Sequence, residues 1–332
     1  LMRGAAQTAT AVFPLTLRSA LYTAAKAALA ALVICIVVGW VDATRLAPAF
    51  TAADPTLLAI AVALSAPNLW LQYSKWRTLV RRVRPETDNR RIAASLFTGF
   101  ALGLVTPART GEYGGRAIAM PGSGAAVLAG LTAVDKMAAL VVTVACGCVA
   151  TAALLAHGPG GGPALPAALL GGIAVLLLFA ALIKGRKPFE RMLLRRIPRS
   201  GRWGAAAHRV LQALSELQPR DLRALIWKSA AFYAVFISQF ALFLIAQERI
   251  NPFDALCGAS AVMLLKTVVP PVTFGELGIR EGASVLVFAL LGVPGATAFN
   301  ASILLFIVNV LLPALAGTVL LLLPALARPQ NA

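Results

Sequence analysis

Runs of about 20 apolar residues recur along this chain, and they constrain its fold more than any other feature. A membrane-spanning α-helix needs roughly 20 mostly apolar residues. Six segments meet that length: 22–40, 55–73, 124–156, 166–183, 224–246 and 297–323. Apolar residues make up 59% of the chain and charged residues only 13%, about half the charged share of an ordinary soluble domain. A soluble fold is excluded. The expected class is an all-α polytopic membrane protein with about six full spans. Residues 22–40 are too long for the core of a signal peptide and lead into further spans, so they are expected to be an uncleaved first helix.

The formal net charge of +17 raises the question of nucleic acid, and the placement of the charge answers it. Seven basic residues fall between Lys75 and Arg91, and eleven between Lys184 and Arg223. Both clusters lie between apolar spans, whereas the other connectors carry few basic residues. That asymmetry is the positive-inside pattern, which places 74–91 and 184–223 in the cytoplasm beside anionic headgroups. Nucleic acid is not expected as a partner. Both termini then face the cytoplasm, and 41–54, 157–165 and 247–254 face outward.

Two stretches do not fit as simple crossings. Residues 92–121 and 255–292 are apolar but interrupted by Pro, Gly and charges. Each carries the skeleton P-x-x-x-G-E-x-G-x-R, as PARTGEYGGR from Pro107 and as PVTFGELGIR from Pro271, 164 residues later. Read as crossings, they would conflict with the positive-inside assignment; read as hairpins that enter and return on one side, they close the topology. Non-helical backbone at membrane depth requires protein or a water-filled cavity to satisfy it. Three crossings separate the two motifs, so the first hairpin opens from the cytoplasm and the second from outside. The chain thus divides into two inverted repeats, 1–157 and 158–332, an arrangement that places transport sites near the midplane between broken helices.

Within each motif the proline ends the preceding helix and the glycines permit a tight turn. A half-helix is expected to begin near Gly111 and near Gly275, with unpaired N–H groups that attract anions. Arg116 follows Glu112 by four residues, and Arg280 follows Glu276 likewise, so each pair shares a helix face. Arg109 adds a cation to the first hairpin and Glu281 a carboxylate to the second. A charge at a helix centre costs about 2.5–3.5 kcal/mol on insertion scales, and such residues mark function by default. Two readings follow. In one, the arginines hold a phosphate-bearing headgroup while Glu112 and Glu276 exchange partners or protons. In the other, each Glu–Arg pair is an intrahelical staple that neutralises itself.

Asp135 and Lys136 lie in the third span. They are intramembrane if the helix runs unbroken through 124–156, and interfacial if only 137–156 crosses. Lys266 precedes TVVPP and either faces the cavity or snorkels outward; Lys228, near a helix end, is expected to snorkel. Residues 205–217 have helical apolar spacing and are expected to lie on the cytoplasmic surface. The run GPGGGP at 158–163 is an outer turn, not a phosphate loop, since no Gly-Lys-Ser/Thr follows. His157 and His208 belong to no metal-ligand set, and no Ser-His-Asp set or nucleotide-binding signature is present. No cofactor or metal is expected. Cys35, Cys146, Cys148 and Cys257 read as packing residues; Cys146 and Cys148 are too close for an ordinary disulfide.

On TPARTGEYGGR, the Asp135-Lys136 pair in AVDKMAAL and PPVTFGELGIREGAS, the chain resembles the transmembrane region of lysylphosphatidylglycerol synthases, the flippase-like domain family. The resemblance covers nearly the whole chain in span order. The family's middle motif is usually Glu-Arg where this chain has Asp135-Lys136, and Glu276 stands where the family often has Gly. The resemblance implies a lipid flippase or a transporter of a lipid-linked substrate. The soluble aminoacyl-transferase domain of the full synthases is expected to be absent, since the chain ends soon after its last span.

The resulting expectation is a bacterial-type inner-membrane translocator of an anionic phospholipid or lipid-linked substrate, not an enzyme. Its partners are membrane lipids with phosphate-bearing headgroups, with a homo-oligomer or a lipid-modifying enzyme as further possibilities. Two alternatives stand beside it. One is a membrane-embedded transferase using Glu112 or Glu276 as general base. The other is a scaffold that docks a partner enzyme on its basic loops.

Overall fold

The structure, a computed structural model, describes residues 53–106, 108–120, 122, 124–157, 166, 169–174, 196, 201–269 and 278–322. All regular structure among these residues is helical, and the protein is an all-α polytopic membrane protein. Four helical segments are long and apolar enough to cross a membrane: 55–83, 125–156, 219–245 and 295–322. They coincide with four of the six expected spans. Residues 22–40 and most of 166–183 lie outside the described residues, as do Pro107, the 158–163 turn, Pro271, Glu276 and Cys35.

Local chemistry explains where the helices begin. Helix α1 (Pro55–Ala63) starts behind Asp54, whose carboxylate accepts from Thr56 N at 2.8 Å, with Pro55 in the first turn. A proline there loses nothing, because first-turn N–H groups have no helical partner. Helix α2 (Ser65–Val83) continues the same span. Helix α7 (Pro219–Ile245) also opens on proline, with Asp221 Oδ2 accepting from Gln218 N at 2.8 Å. Helix α8 (Pro252–Val268) is capped by Asn251, which accepts from Phe253 N. Helix α10 (Gly295–Phe306) passes through a π-helical turn, 307–311, into α11 (Leu312–Leu322). Pro313 stands just beyond that turn, where its missing N–H and its ring disturb the regular ladder.

The two interrupted stretches form helix pairs. Helix α3 (Asn89–Leu104) turns back into α4 (Gly111–Ile118), and the two pack on each other. Helix α8 packs on α9 (Ile279–Ala289) in the same manner. None of the four reaches the roughly 20 residues that a crossing requires. The long helix α5 (Ala125–His157) contacts α2, α4, α7 and α8, and on another side α6 (Gly201–Ser215). As the spacing predicts, α6 is amphipathic; His208 and Ala213 are buried, and Val210 lies over Gly130 of α5.

Each helix pair has its own apolar core. Around the first are Trp76, Leu79, Leu96, Phe100, Leu131 and Phe306. Around the second are Phe236, Phe240, Phe288, Ala298 and Leu305. The last span contributes to both and forms a seam between them. It crosses α3 closely at Gly317, where a β-carbon would run into the Phe97 carbonyl.

Candidate functional site

Glycine brings the first motif's charges into the interior. On α3, Gly99 and Gly103 are four residues apart, and on α4 so are Gly111 and Gly115, so each pair lines one helix face. A β-carbon at Gly103 would lie 2.6 Å from Glu112 Cγ, and one at Gly99 would lie 2.8 Å from Arg116 Cγ. The side chains of Glu112 and Arg116 therefore lie flat across a strip of bare α3 backbone, and both residues are buried. The turn that delivers them is strained. Ala108 and Arg109 both have φ of +54°, a left-handed conformation that costs an L-residue about 1–2 kcal/mol.

Glu112 is the centre of the resulting network. Its Oε1 is 2.6 Å from Arg109 Nε, and its Oε2 is 2.7 Å from Lys136 Nζ and 3.5 Å from Arg116 Nη2. Arg116 extends the network through Nη1, which donates to Asp135 Oδ2 at 3.1 Å. The other oxygen of Asp135 is 2.8 Å from Lys75 Nζ on α2. Six charged groups from α2, α4, α5 and the turn before α4 thus form one connected set. The guanidinium of Arg116 lies 4.4 Å from the centroid of Trp76, a cation–π geometry. Trp76 Nε1 donates to Ser95 Oγ, which in turn donates to the Arg116 carbonyl at 2.8 Å. Most of the set is sealed. Its open edge is Lys136 and Arg109, with side chains 37% and 18% exposed.

The second motif is wired differently. Arg280 Nη2 is 2.7 Å from Glu281 Oε1, Arg280 Nε donates to Ser302 Oγ at 2.9 Å, and Ser302 donates to Glu281 at 3.1 Å. The remaining Glu281 oxygen accepts from Gly278 N at 2.7 Å. Arg280 and Glu281 are both buried, and among the described residues they form one cation–anion pair. Glu276, the expected partner of Arg280, lies outside the described residues.

Several expectations change. A half-helix does begin at Gly111, but the second begins at Ile279 rather than near Gly275. The first-turn N–H groups of α4 are not left open for an anion, and the N-cap amide of α9 is also taken. Gly111 N donates to Thr106 Oγ1, Glu112 N to the Arg109 carbonyl, Tyr113 N to the Thr110 carbonyl and Gly278 N to Glu281. The chain's own acceptors occupy these positions, so the side-chain cations are the anion-attracting groups here. Nor is Arg116 a simple intrahelical staple, since its closer carboxylate is Asp135. Helix α5 runs unbroken through Asp135 and Lys136, and Asp135 is buried.

Lys228 donates to Thr78 Oγ1 at 2.7 Å and to the Ser74 carbonyl. Lys266 is half-buried in the last turn of α8, and the ion pairs of Glu112 and Asp135 do not include it. Among the described residues no group of His, Cys, Asp and Glu is arranged to hold a metal, and Cys146, Cys148 and Cys257 are free thiols.

Sequence reasoning missed Lys75, which it counted among the cytoplasmic charges. It is 4% exposed and also faces the Phe232 ring at 5.2 Å. A signal existed: Leu71, Lys75 and Leu79 recur at intervals of four, so the lysine sits within a buried apolar stripe. Trp76 and Ser95 were missed because an aromatic or hydroxyl residue in an apolar helix has no distinguishing local pattern.

A comparison with curated proteins returned no match to this chain. Residues 24–317, which include both helix pairs, Lys75 and the Asp135-Lys136 pair, match the model of the lysylphosphatidylglycerol synthase TM region. The chain belongs to that family.

Proposed function

We propose that this protein moves an anionic phospholipid or lipid-linked substrate between leaflets, with the headgroup passing the charge cluster on the first helix pair. The observation that carries the reading is the composition of that cluster. Among the described residues, Lys75, Arg109, Arg116 and Lys136 pair with two carboxylates, Glu112 and Asp135. A buried set with more cations than anions is expensive in a membrane unless an anion visits it. Arg109 and Lys136 at the open edge receive the phosphate, with Arg116 behind them. Glu112 is the anion that the substrate displaces from these cations, one contact at a time.

The two short helix pairs are the re-entrant hairpins of an inverted repeat, 1–157 and 158–332, opening to opposite sides of a bacterial inner membrane, with both termini cytoplasmic. Arg280, Glu281, Glu276 and Lys266 form the corresponding station of the second hairpin. Helices too short to cross, separated by proline- and glycine-containing sequence, support this arrangement.

The test is reconstitution into liposomes with a labelled anionic phospholipid, read as the rate at which label crosses the bilayer. Arg109→Gln combined with Lys136→Met alters only the open edge, and is expected to lower the rate at least tenfold, on the order of 1.4 kcal/mol in the barrier. The Arg116→Ala, Arg280→Ala pair should abolish transport in protein that still elutes as a folded species. Unchanged crossing in both folded variants would sink the assignment.

A further inference from the structure

We infer that the cluster is matched to a terminal phosphate, a phosphomonoester carrying two negative charges, rather than to a phosphodiester carrying one. This inference rests on the reading of the cluster as a headgroup site. Both carboxylates are ion-paired on each oxygen, Asp135 with Lys75 and Arg116 and Glu112 with Arg109, Arg116 and Lys136, while Glu112 Oε1 and Asp135 Oδ1 complete no hydrogen bond. Four cations against two anions leave a charge of +2, and among the described residues no third carboxylate pairs with the set. A dianion brings the sum to zero, whereas a diester headgroup leaves one cation uncompensated in a largely buried site.

The available donors suit a terminal group. Arg109 and Lys136 flank Glu112 from the turn before α4 and from α5, and both reach the open edge. Each spends a single contact on Glu112, which leaves guanidinium and ammonium protons free. Arg116 Nε, deeper in the cluster, has no hydrogen-bond partner. A monoester presents three oxygens to such donors, and charge-assisted bonds of this kind are about twice as strong as neutral ones. A diester has two unesterified oxygens and a second carbon chain in the way.

The experiment is titration calorimetry of the full chain in detergent at pH 8, where a phosphomonoester, with its second pKa at about 6, is dianionic. Three probes are used: short-chain phosphatidic acid, the corresponding phosphatidylmethanol, and inorganic phosphate. The two lipids differ by one methyl group and one charge. Phosphatidic acid is expected to bind about tenfold more tightly than phosphatidylmethanol. Arg109→Gln, which lowers the cluster to +1, should shrink that preference to about threefold or less, while Lys136→Arg should retain it.

Equal affinity for the two lipids in the parent protein overturns the monoester assignment and leaves the headgroup site standing. Binding of neither lipid overturns both. Inorganic phosphate binding as tightly as phosphatidic acid supports the dianion and makes the ligand a free phosphate rather than a lipid. Arg109→Gln that folds and keeps the full preference shows that the charge sum does not set it, and the inference fails.

Discussion

The two helix pairs share a ten-residue skeleton, but its two arginines meet different described partners. On the first, Arg116 and Glu112 join a six-membered set drawn from four parts of the chain, with two cations in excess. On the second, among the described residues, Arg280 and Glu281 pair with each other and with Ser302 and the Gly278 amide. The difference lies in the neighbours. Helix α5 brings Asp135 to the first arginine and Lys136 to Glu112, whereas among the described residues α10 brings the Ser302 hydroxyl and the Phe306 ring to the second. A repeated motif therefore fixes where a charge is introduced, and the helix packed against it fixes what the charge can do.

This contrast can be broken at several points. The largest effect is expected for Asp135→Leu, which leaves Lys75 and Arg116 buried without their carboxylate. Removing one partner of a buried pair costs about 3–5 kcal/mol, so thermal unfolding in detergent should show a loss of that size. Glu281→Gln should lose clearly less, because Ser302 and one cation are all that it leaves. If the two variants melt together, the first cluster is no more demanding than the second.

Next in size is Gly103→Ala. The new methyl group meets the Glu112 side chain, which three ion pairs hold in place. Overpacking of this kind costs about 1–3 kcal/mol. The same variant should also slow lipid crossing in liposomes, since Glu112 moves; normal stability and normal crossing would show that the bare α3 strip is not what seats the cluster.

A smaller effect of opposite sign is expected for Ala108→Gly. The left-handed φ at this position costs alanine about 1 kcal/mol and glycine nothing, so the variant should be stabilised by roughly 0.5–1 kcal/mol. A stabilised protein with slower crossing would indicate that the strained turn takes part in transport. The smallest effect belongs to the double change Arg280→Met, Glu281→Leu. Replacing a whole buried pair with apolar residues is often neutral or stabilising, so stability should stay within about 1 kcal/mol of the parent. A large loss would mean that the second motif is connected to more than Glu281 and Ser302.

Hydropathy, charge placement and the position of proline and glycine made the membrane class, four described spans and both helix pairs legible in the sequence. They also named five of the six residues in the first cluster. These are local signals, expressed within a window of about 20 residues. Lys75 was overlooked because it lies among arginines: the stripe of Leu71 and Leu79 marks its face as buried, but only the packing of α2 on α5 and α7 shows what it meets. The anion-binding N-terminus of α4 failed for a related reason: nothing in the motif shows that Thr106 will reach the Gly111 N–H first.

By itself, the sequence determined that this protein lies in a membrane as helices and that two of its polar interruptions are related. The tertiary structure decided that the first arginine joins a six-residue charge cluster and that, among the described residues, the second pairs with Glu281 and Ser302. The physical reason is that helix formation depends on neighbours along the chain, whereas the partner of a buried charge depends on which helices glycine allows to come close. Lys75 and Asp135 are 60 residues apart, and no local pattern encodes the 2.8 Å between them.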